Sequence, residues 1–351
     1  MSEGILLCVG HPLLDIIAKV DSEFLQKFYL KANNAVRADE AIHRNLIPEL
    51  ISKHQVKYVA GGSAQNTARY AQWVFGKNSK RCVSFMGTVG NDYFAKTMEE
   101  RAVAEGVNAV YIKIEQIQTG RCAVLISDGG LSRSLCAFLD ASQMFNEKDL
   151  IKNWKYVESA KVIYITGFLL GTSFDAISKI NEFIGHNSDR HLAFNLSAPY
   201  VSEQYGQRII NILYYIDIFV ASYVDIIAFA EFMKLKEMDL KKIVRKICFE
   251  MPCIKKQRFV IVTQGKDPVI IGDRLKGDII EFNVPFLDEA KILDTNGAGD
   301  AFVGGLLASF IAEKSIHECI KCGVQCAQQI IQVSGCEVPI MEYEDIKNIL
   351  Q

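Results

Sequence analysis

The sequence predicts an α/β fold: a doubly wound, mostly parallel central sheet flanked by helices, carrying a small β-rich appendage. Three observations predict it. Short apolar runs that close on glycine or a polar residue alternate with helical segments over most of the chain. Between Asn108 and Leu139 that alternation stops, and three strand-like runs follow one another with no helix between them. Finally, a dense cluster of turn formers and glycines, Asp294–Gly305, leads straight into an apolar helical run, as an anion-binding loop does.

From the start of the chain, Ile5-Leu6-Leu7-Cys8-Val9 lies between Gly4 and Gly10 and reads as a buried first strand. Asp15 then stands as one carboxylate in the apolar stretch Leu13-Leu14-Asp15-Ile16-Ile17. A buried Asp needs a partner. A capping or salt-bridged role and the binding of a sugar diol are equally open from position alone. Residues 39–54 read as a helix and Lys57-Tyr58-Val59-Ala60 as a short strand. Gly61-Gly62-Ser63-Ala64-Gln65-Asn66 opens the next helix, which runs to Val74. The glycine pair lets a ligand approach the main chain closely. Ser63 is an N-cap candidate, and Asn66, one turn on, points towards the same space.

Arg81–Gly90 reads as a strand and Asp92–Glu105 as a helix. The runs 108–113, 120–127 and 133–139 are strand-like, and the last two belong to the appendage. Runs 161–166, 191–195, 217–221 and 258–263 are the apolar strands of βα repeats. Ligands of such sheets collect at the carboxyl ends of strands. Asp15, Gly61-Gly62, Phe168, Asn195 and Gly265 all follow strand ends.

The stretch Leu293-Asp294-Thr295-Asn296-Gly297-Ala298-Gly299-Asp300-Ala301-Phe302 is where chemistry is expected. Free N–H groups and the positive end of the helix dipole favour an anion there. Asp300 puts a carboxylate beside that anion, which hinders binding alone but suits removal of a proton from an attacking hydroxyl. The dinucleotide fingerprint would need a third glycine where Phe302 stands, and the Walker string is absent. A bare G-x-G before a helix is often only tight packing, so the longer string must carry the argument.

Composition narrows the classes. The 351 residues suit one large α/β domain with a smaller appendage, or two ordinary domains, and half are apolar. A net charge of −2 gives no electrostatic footprint for nucleic acid or an anionic membrane. The chain lacks long apolar windows and a basic leader, so a soluble cytoplasmic protein is expected, with a nuclear pool compatible. Among ten cysteines, Cys319, Cys322 and Cys326 share one helical face. They read as small apolar thiols packing a helix rather than as metal ligands.

Taken whole, Asp-Thr-Asn-Gly-Ala-Gly-Asp-Ala-Phe closely resembles the C-terminal signature of the ribokinase-like (PfkB) family of small-molecule kinases. Gly10-His11-Pro12-Leu13-Leu14-Asp15, Gly61-Gly62-Ser63-Ala64-Gln65-Asn66, Asn195-Leu196-Ser197-Ala198-Pro199 and Thr263-Gln264-Gly265 extend the resemblance over nearly the whole chain, and towards its adenosine branch. The resemblance implies a ribokinase-like fold. It also implies transfer of a phosphoryl group from ATP, with Mg2+, to the 5′-hydroxyl of adenosine, by a monomer.

Site roles follow from the same resemblance. Asp15, Gly62 and Asn66 should hold the ribose hydroxyls, with Ser63 near the base edge and His11 and Leu13 also lining the substrate pocket. Leu135, Ala137 and Phe168 should enclose the adenine, and Arg133 should reach the transferring phosphate. Asn296, Gly297, Ala298 and Gly299 should cradle phosphates, with Asn195, Thr263 and Gly265 along ATP, and Asp300 should be the catalytic base. Residues 15–36 and 118–141 should form a lid on a large domain of residues 1–14, 37–117 and 142–351. Three places depart from the family pattern. Ser222-Tyr223-Val224-Asp225 replaces Asn-x-x-Glu, leaving Asp225 to order magnesium through water, though Ser-x-x-Asp is also a serviceable helix cap. His11 and Ala35 stand where Asn and Gln are common.

Overall fold

Two sheets organise the computed structural model of the chain, which describes residues 2–32, 34–76, 79, 81–127, 132–236, 239–333 and 335–339. The first strands are β1 (Leu6–Val9), β2 (Leu13–Lys19), β3 (Ala35–Arg37), β4 (Lys57–Gly61), β5 (Val83–Gly90), β6 (Asn108–Ile114), β7 (Arg121–Ser127) and β8 (Ser132–Phe138). There follow β9 (Val162–Thr166), β10 (His191–Asn195), β11 (Ile218–Ser222), β12 (Phe259–Gln264), β13 (Asp267–Asp273) and β14 (Asp278–Phe282).

The large sheet runs β14-β13-β12-β11-β10-β9-β1-β5-β6, parallel from β12 to β6 with an antiparallel β12-β13-β14 edge. This is the ribokinase-like arrangement the sequence predicts. Alternation in β1 shows why its strands are apolar throughout. Leu6 and Cys8 enter one hydrophobic core, while Leu7 and Val9 enter the other, on the opposite face. The helix Ala298–Ile311 is apolar on all sides, so it is buried, packed between the helices Ser63–Phe75 and Ile316–Ile330.

The small sheet runs β3-β8-β7-β2-β4. Two expectations are corrected here. Lys57–Gly61, placed by sequence with the large body, pairs antiparallel with β2 in the small sheet. The expected boundary at residue 36 therefore falls too early, because the helices Ser22–Lys27 and Leu46–Lys53 also pack on this sheet through Phe24, Leu25, Leu46, Ile47 and Leu50. The helix expected over 39–54 is two, Glu40–His43 and Leu46–Lys53, and Pro48 falls in the first turn of the second, where its missing N–H costs no bond. Residues 128–131 of the expected lid lie outside the described residues. Among the described residues, no helix is long and apolar enough to cross a membrane.

Candidate active site

The loop before the helix Ala298–Ile311 is built by Asp294. Its Oδ1 accepts from the Asn296 N–H at 3.0 Å and its Oδ2 from the Gly335 N–H at 2.9 Å. Asn296 Nδ2 lies 3.2 Å from Cys336 Sγ, which braces the loop from below. Gly297 takes the N-cap position with φ +77°, and a Cβ there would sit 2.9 Å from Cys336 Sγ. Only glycine fits that combination of dihedral and crowding. Gly299, by contrast, has open space beside it, as a backbone that receives a ligand should.

Asp300 lies in the first helical turn, and both its oxygens have donors. Ser63 Oγ donates to Oδ1 at 2.6 Å and Asn66 Nδ2 to Oδ2 at 3.1 Å. Burial pushes the Asp300 carboxyl up to about 6, against the hydrogen bonds from Ser63 and Asn66 and the charge of Arg69. A carboxylate poised there is a competent general base near neutral pH. Ser63 is therefore not the N-cap of its helix. Gly62, at φ +91°, holds that position, and the Ser63 hydroxyl goes to a charged acceptor instead.

One face of the small sheet carries most of the other residues expected at the substrate. Pleating puts Leu13, Asp15 and Ile17 of β2 on the same side as Arg133, Leu135 and Ala137 of β8, with Cys122 and Val124 of β7 between them and Val59 of β4 on the outer side of β2. Asp15 is buried among these apolar neighbours, which pushes its carboxyl up to about 7 against the pull of Arg133 and Arg69. A Cβ on Gly61, diagonally across from Asp15 on β4, would lie 2.4 Å from the Asp15 carboxyl, so this approach depends on a bare backbone. Arg133, expected at the transferring phosphate, is ion-paired with Asp294 at the root of the loop.

The carboxyl ends of the large sheet complete the cleft. His11 follows β1, and its Nε2 meets Thr172 Oγ1 at 2.9 Å; burial, then Arg37, lower its pKa to about 4, so the ring is neutral. Phe168 follows β9 and stacks on Tyr200, with ring centroids 6.2 Å apart. Asn195 ends β10, and its Oδ1 accepts from the Ser197 N–H at 3.3 Å. Beside the loop lies a largely apolar cavity of about 750 Å³, lined by Ser222, Thr263, Gly265, Ala298, Gly299 and Phe302 among others. Ser222 and Asp225 form a capping box on the helix Tyr223–Phe232, and burial raises the Asp225 carboxyl against the Ser222 bonds. Cys319, Cys322 and Cys326 are buried where the helix Ile316–Ile330 meets Ala298–Ile311, with Cys326 Sγ close against Gly305.

The structure thus brings Asp15, Ser63, Asn66, Arg133 and Asp300 to one place, and Thr263, Gly265, Ala298 and Gly299 to an adjoining one. Sequence reasoning missed Arg69, Thr172, Tyr200 and Cys336. Arg69 had a signal, since it lies one helical turn beyond Asn66 and therefore on the same face. Cys336 had none, because it is 40 residues from Asn296.

A glycine-rich loop, a carboxylate in the first turn of the helix it leads into, and a small sheet ion-paired to that loop are the arrangement of a small-molecule kinase of ribokinase-like fold. The model described as "pfkB family carbohydrate kinase" matches residues 28–342, and the chain belongs to that family. Among curated relatives it is similar to adenosine kinase 2 of Arabidopsis thaliana, with 38% identity over 341 residues and 96% of each chain covered. Among solved structures it is similar to Anopheles gambiae adenosine kinase in complex with P1,P4-di(adenosine-5) tetraphosphate. That match has 38% identity and a TM-score of 0.85 over 96% of this chain and 98% of that one. It is also similar to the Schistosoma mansoni enzyme in complex with adenosine and AMP, at 29% identity and a TM-score of 0.84 over 97% and 99%.

Proposed function

We propose that this chain transfers the γ-phosphoryl group of ATP to the 5′-hydroxyl of adenosine, giving AMP and ADP. The observation that carries the reading is the position of Asp300. It stands between the anion loop Asn296–Gly299 and the start of the helix Ser63–Phe75, with Ser63 and Asn66 within hydrogen-bond distance. A hydroxyl held by that helix start would meet the base on one side and a phosphate on the other. The relatives named above supply the substrate.

On this reading Asp15, Gly62 and Asn66 hold the ribose diol, and Leu13, Leu135, Ala137, His11 and Phe168 wall the base. The small sheet acts as a lid that excludes water. Asn296, Gly297, Ala298 and Gly299 present backbone N–H groups to the phosphates, and Thr263, Gly265 and Asn195 line the ATP side. Arg133 exchanges Asp294 for the transferring phosphate when both substrates are bound. Asp300 takes the 5′-hydroxyl proton as the oxygen attacks phosphorus. Mg2+ bound with ATP supplies neutralisation of phosphate charge. Asp225 fits an indirect role there, since its neighbour Ser222 lines the cavity while the capping box engages the Asp225 Oδ2. The chain is read as acting as a monomer.

The test is a mass-spectrometric search for phosphorylated product over a panel of nucleosides and sugars, with ATP and Mg2+. AMP from adenosine is expected as the dominant product. Sugar phosphates without AMP would move the chain to the sugar-kinase branch, and no product at all would make it a nucleoside-binding protein.

A further inference from the structure

We infer that Arg69, itself held by Glu105, is a positioning residue that fixes the Asn66 amide so that its Nδ2, not its Oδ1, faces Asp300. The inference rests on the reading of Asp300 as the base and names a residue outside the sequence strings on which that reading was based.

Arg69 lies one turn after Asn66 on the helix Ser63–Phe75 and is only 1% exposed. Its guanidinium is engaged all round. Nη1 donates to Asn66 Oδ1 at 3.0 Å and to the Ala60 carbonyl. Nη2 donates to Glu105 Oε1 at 2.8 Å, while Nε donates to Glu105 Oε2. A guanidinium has donors only and keeps its proton, so the atom of Asn66 that faces it must be an acceptor. At the other end Asp300 offers only lone pairs when ionised, so it requires a donor. Turning the amide over would set NH2 against the guanidinium and C=O against the carboxylate, opposing both contacts at once. The chemistry at its two ends therefore assigns the orientation of Asn66.

The position of Glu105 supports a dedicated role. It is the C-cap of the helix Tyr93–Ala104, where the macrodipole disfavours a carboxylate. A buried arginine left without a counter-charge is strongly disfavoured, and Glu105, about a quarter exposed, supplies that charge from the protein surface. The chain of contacts Glu105, Arg69, Asn66, Asp300 thus runs from solvent to the base. Ser63 reaches Asp300 through a hydroxyl that rotates freely about its bond. Asn66 cannot rotate without breaking its bond to Arg69. Of the two donors, it is the one that can hold the carboxylate plane while the substrate hydroxyl replaces Ser63.

The experiment is a double-mutant cycle of Arg69→Met with Asn66→Ala, reading kcat on the pH-independent alkaline plateau of each of the four proteins, because Asn66 and Arg69 both hold the Asp300 carboxyl down and their loss moves its titration up. Arg69→Met is expected to lower kcat at least tenfold in the parent and less than twofold in the Asn66→Ala background, because its effect passes through that amide. Equal losses in both backgrounds would overturn the inference, as a merely structural arginine predicts. Where Arg69→Met fails to fold, Glu105→Gln replaces it, with a several-fold loss expected in the parent and none beside Asn66→Ala. A second readout needs no substrate. The Asn66 side-chain amide protons should titrate with Asp300 in NMR spectra of the ligand-free protein and cease to do so in the Arg69→Met variant; of the neighbouring groups only Asp15 titrates in the same range and is followed separately, since burial pushes Tyr70, Tyr164 and Cys336 well above it. An unchanged amide response overturns the inference. A lost response in a protein that makes no AMP keeps the inference and discards the proposed substrate.

Discussion

Arg133 of β8 and Asp294 of the anion loop form an ion pair that ties the small sheet to the large body. Both side chains are mostly buried, at 14% and 11% exposed. The same Asp294 carboxylate organises the loop through the Asn296 and Gly335 N–H groups. Sheet position and loop shape are therefore coupled through one side chain.

That coupling predicts how the molecule closes. Hydrogen exchange with saturating adenosine should slow together in 13–61 and 121–138 and in the loop at 294–299. Asp294→Asn should leave Arg133 without its counter-charge, speed exchange in both places before ligand is added, and weaken adenosine binding several-fold. Exchange unchanged by adenosine in the small sheet would remove it from the role of lid.

Asp300→Asn keeps the size and the helix start but cannot accept the 5′-hydroxyl proton. General-base catalysis contributes about 10²–10⁴-fold, so kcat should fall by that order. Adenosine and ATP should still bind, with ATP held or tightened because a negative charge has left the phosphate site. Turnover within tenfold of the parent in a folded variant would refute the role of base.

The two raised carboxyls set opposite pH trends for activity and stability. Asp300 is pushed up to about 6 and Asp15 to about 7, against about 3.9 in an unfolded chain. The folded protein therefore binds more protons than the unfolded one between roughly pH 4 and 7. Their contribution to stability is complete below that window and is lost as pH rises through it. Activity runs the other way, since the base must be ionised, and kcat/KM should fall on the acid side of about pH 6. Asp15→Asn should flatten the decline of melting temperature between pH 5 and pH 8 in ligand-free protein. A slope identical to that of the parent would show that Asp15 is not charged at a cost.

Asp225 is asked to serve twice, and one variant separates the roles. Asp225→Ala removes half of a capping box, which costs about 0.5–2 kcal/mol and lowers the melting temperature. It should also raise the magnesium concentration for half-maximal rate while leaving adenosine affinity alone. A lower melting temperature with an unchanged magnesium titration would confine Ser222 and Asp225 to capping.

Much of this was legible before any coordinates. Apolar β strands and the glycine loop announce themselves because backbone needs, such as the left-handed turn at Gly297, leave few residue choices. The parallel core of the large sheet followed from the same logic. What the chain order hid was partnership across space. Lys57–Gly61 has the pattern of any short strand, and only pairing with β2 assigns it to the small sheet. Ser63 carries a strong local signal for capping, yet a carboxylate 237 residues away outcompetes the helix N–H groups for its hydroxyl. Cys336 and Arg69 support the loop and the base through contacts that no short motif encodes.

The small sheet has a consequence for the order in which the chain acquires structure. Its strands come from two separate stretches, and β2 pairs in parallel with β7, Leu14 against Arg121. Between them the chain must first lay down β5 and β6 of the other sheet. Emerging from the ribosome, β2 and β4 would wait through all of that synthesis for their third partner, with a hydrophobic face uncovered. The lid is thus not a separable module. No single cut frees it, and no contiguous fragment of the chain contains it without strands of the body.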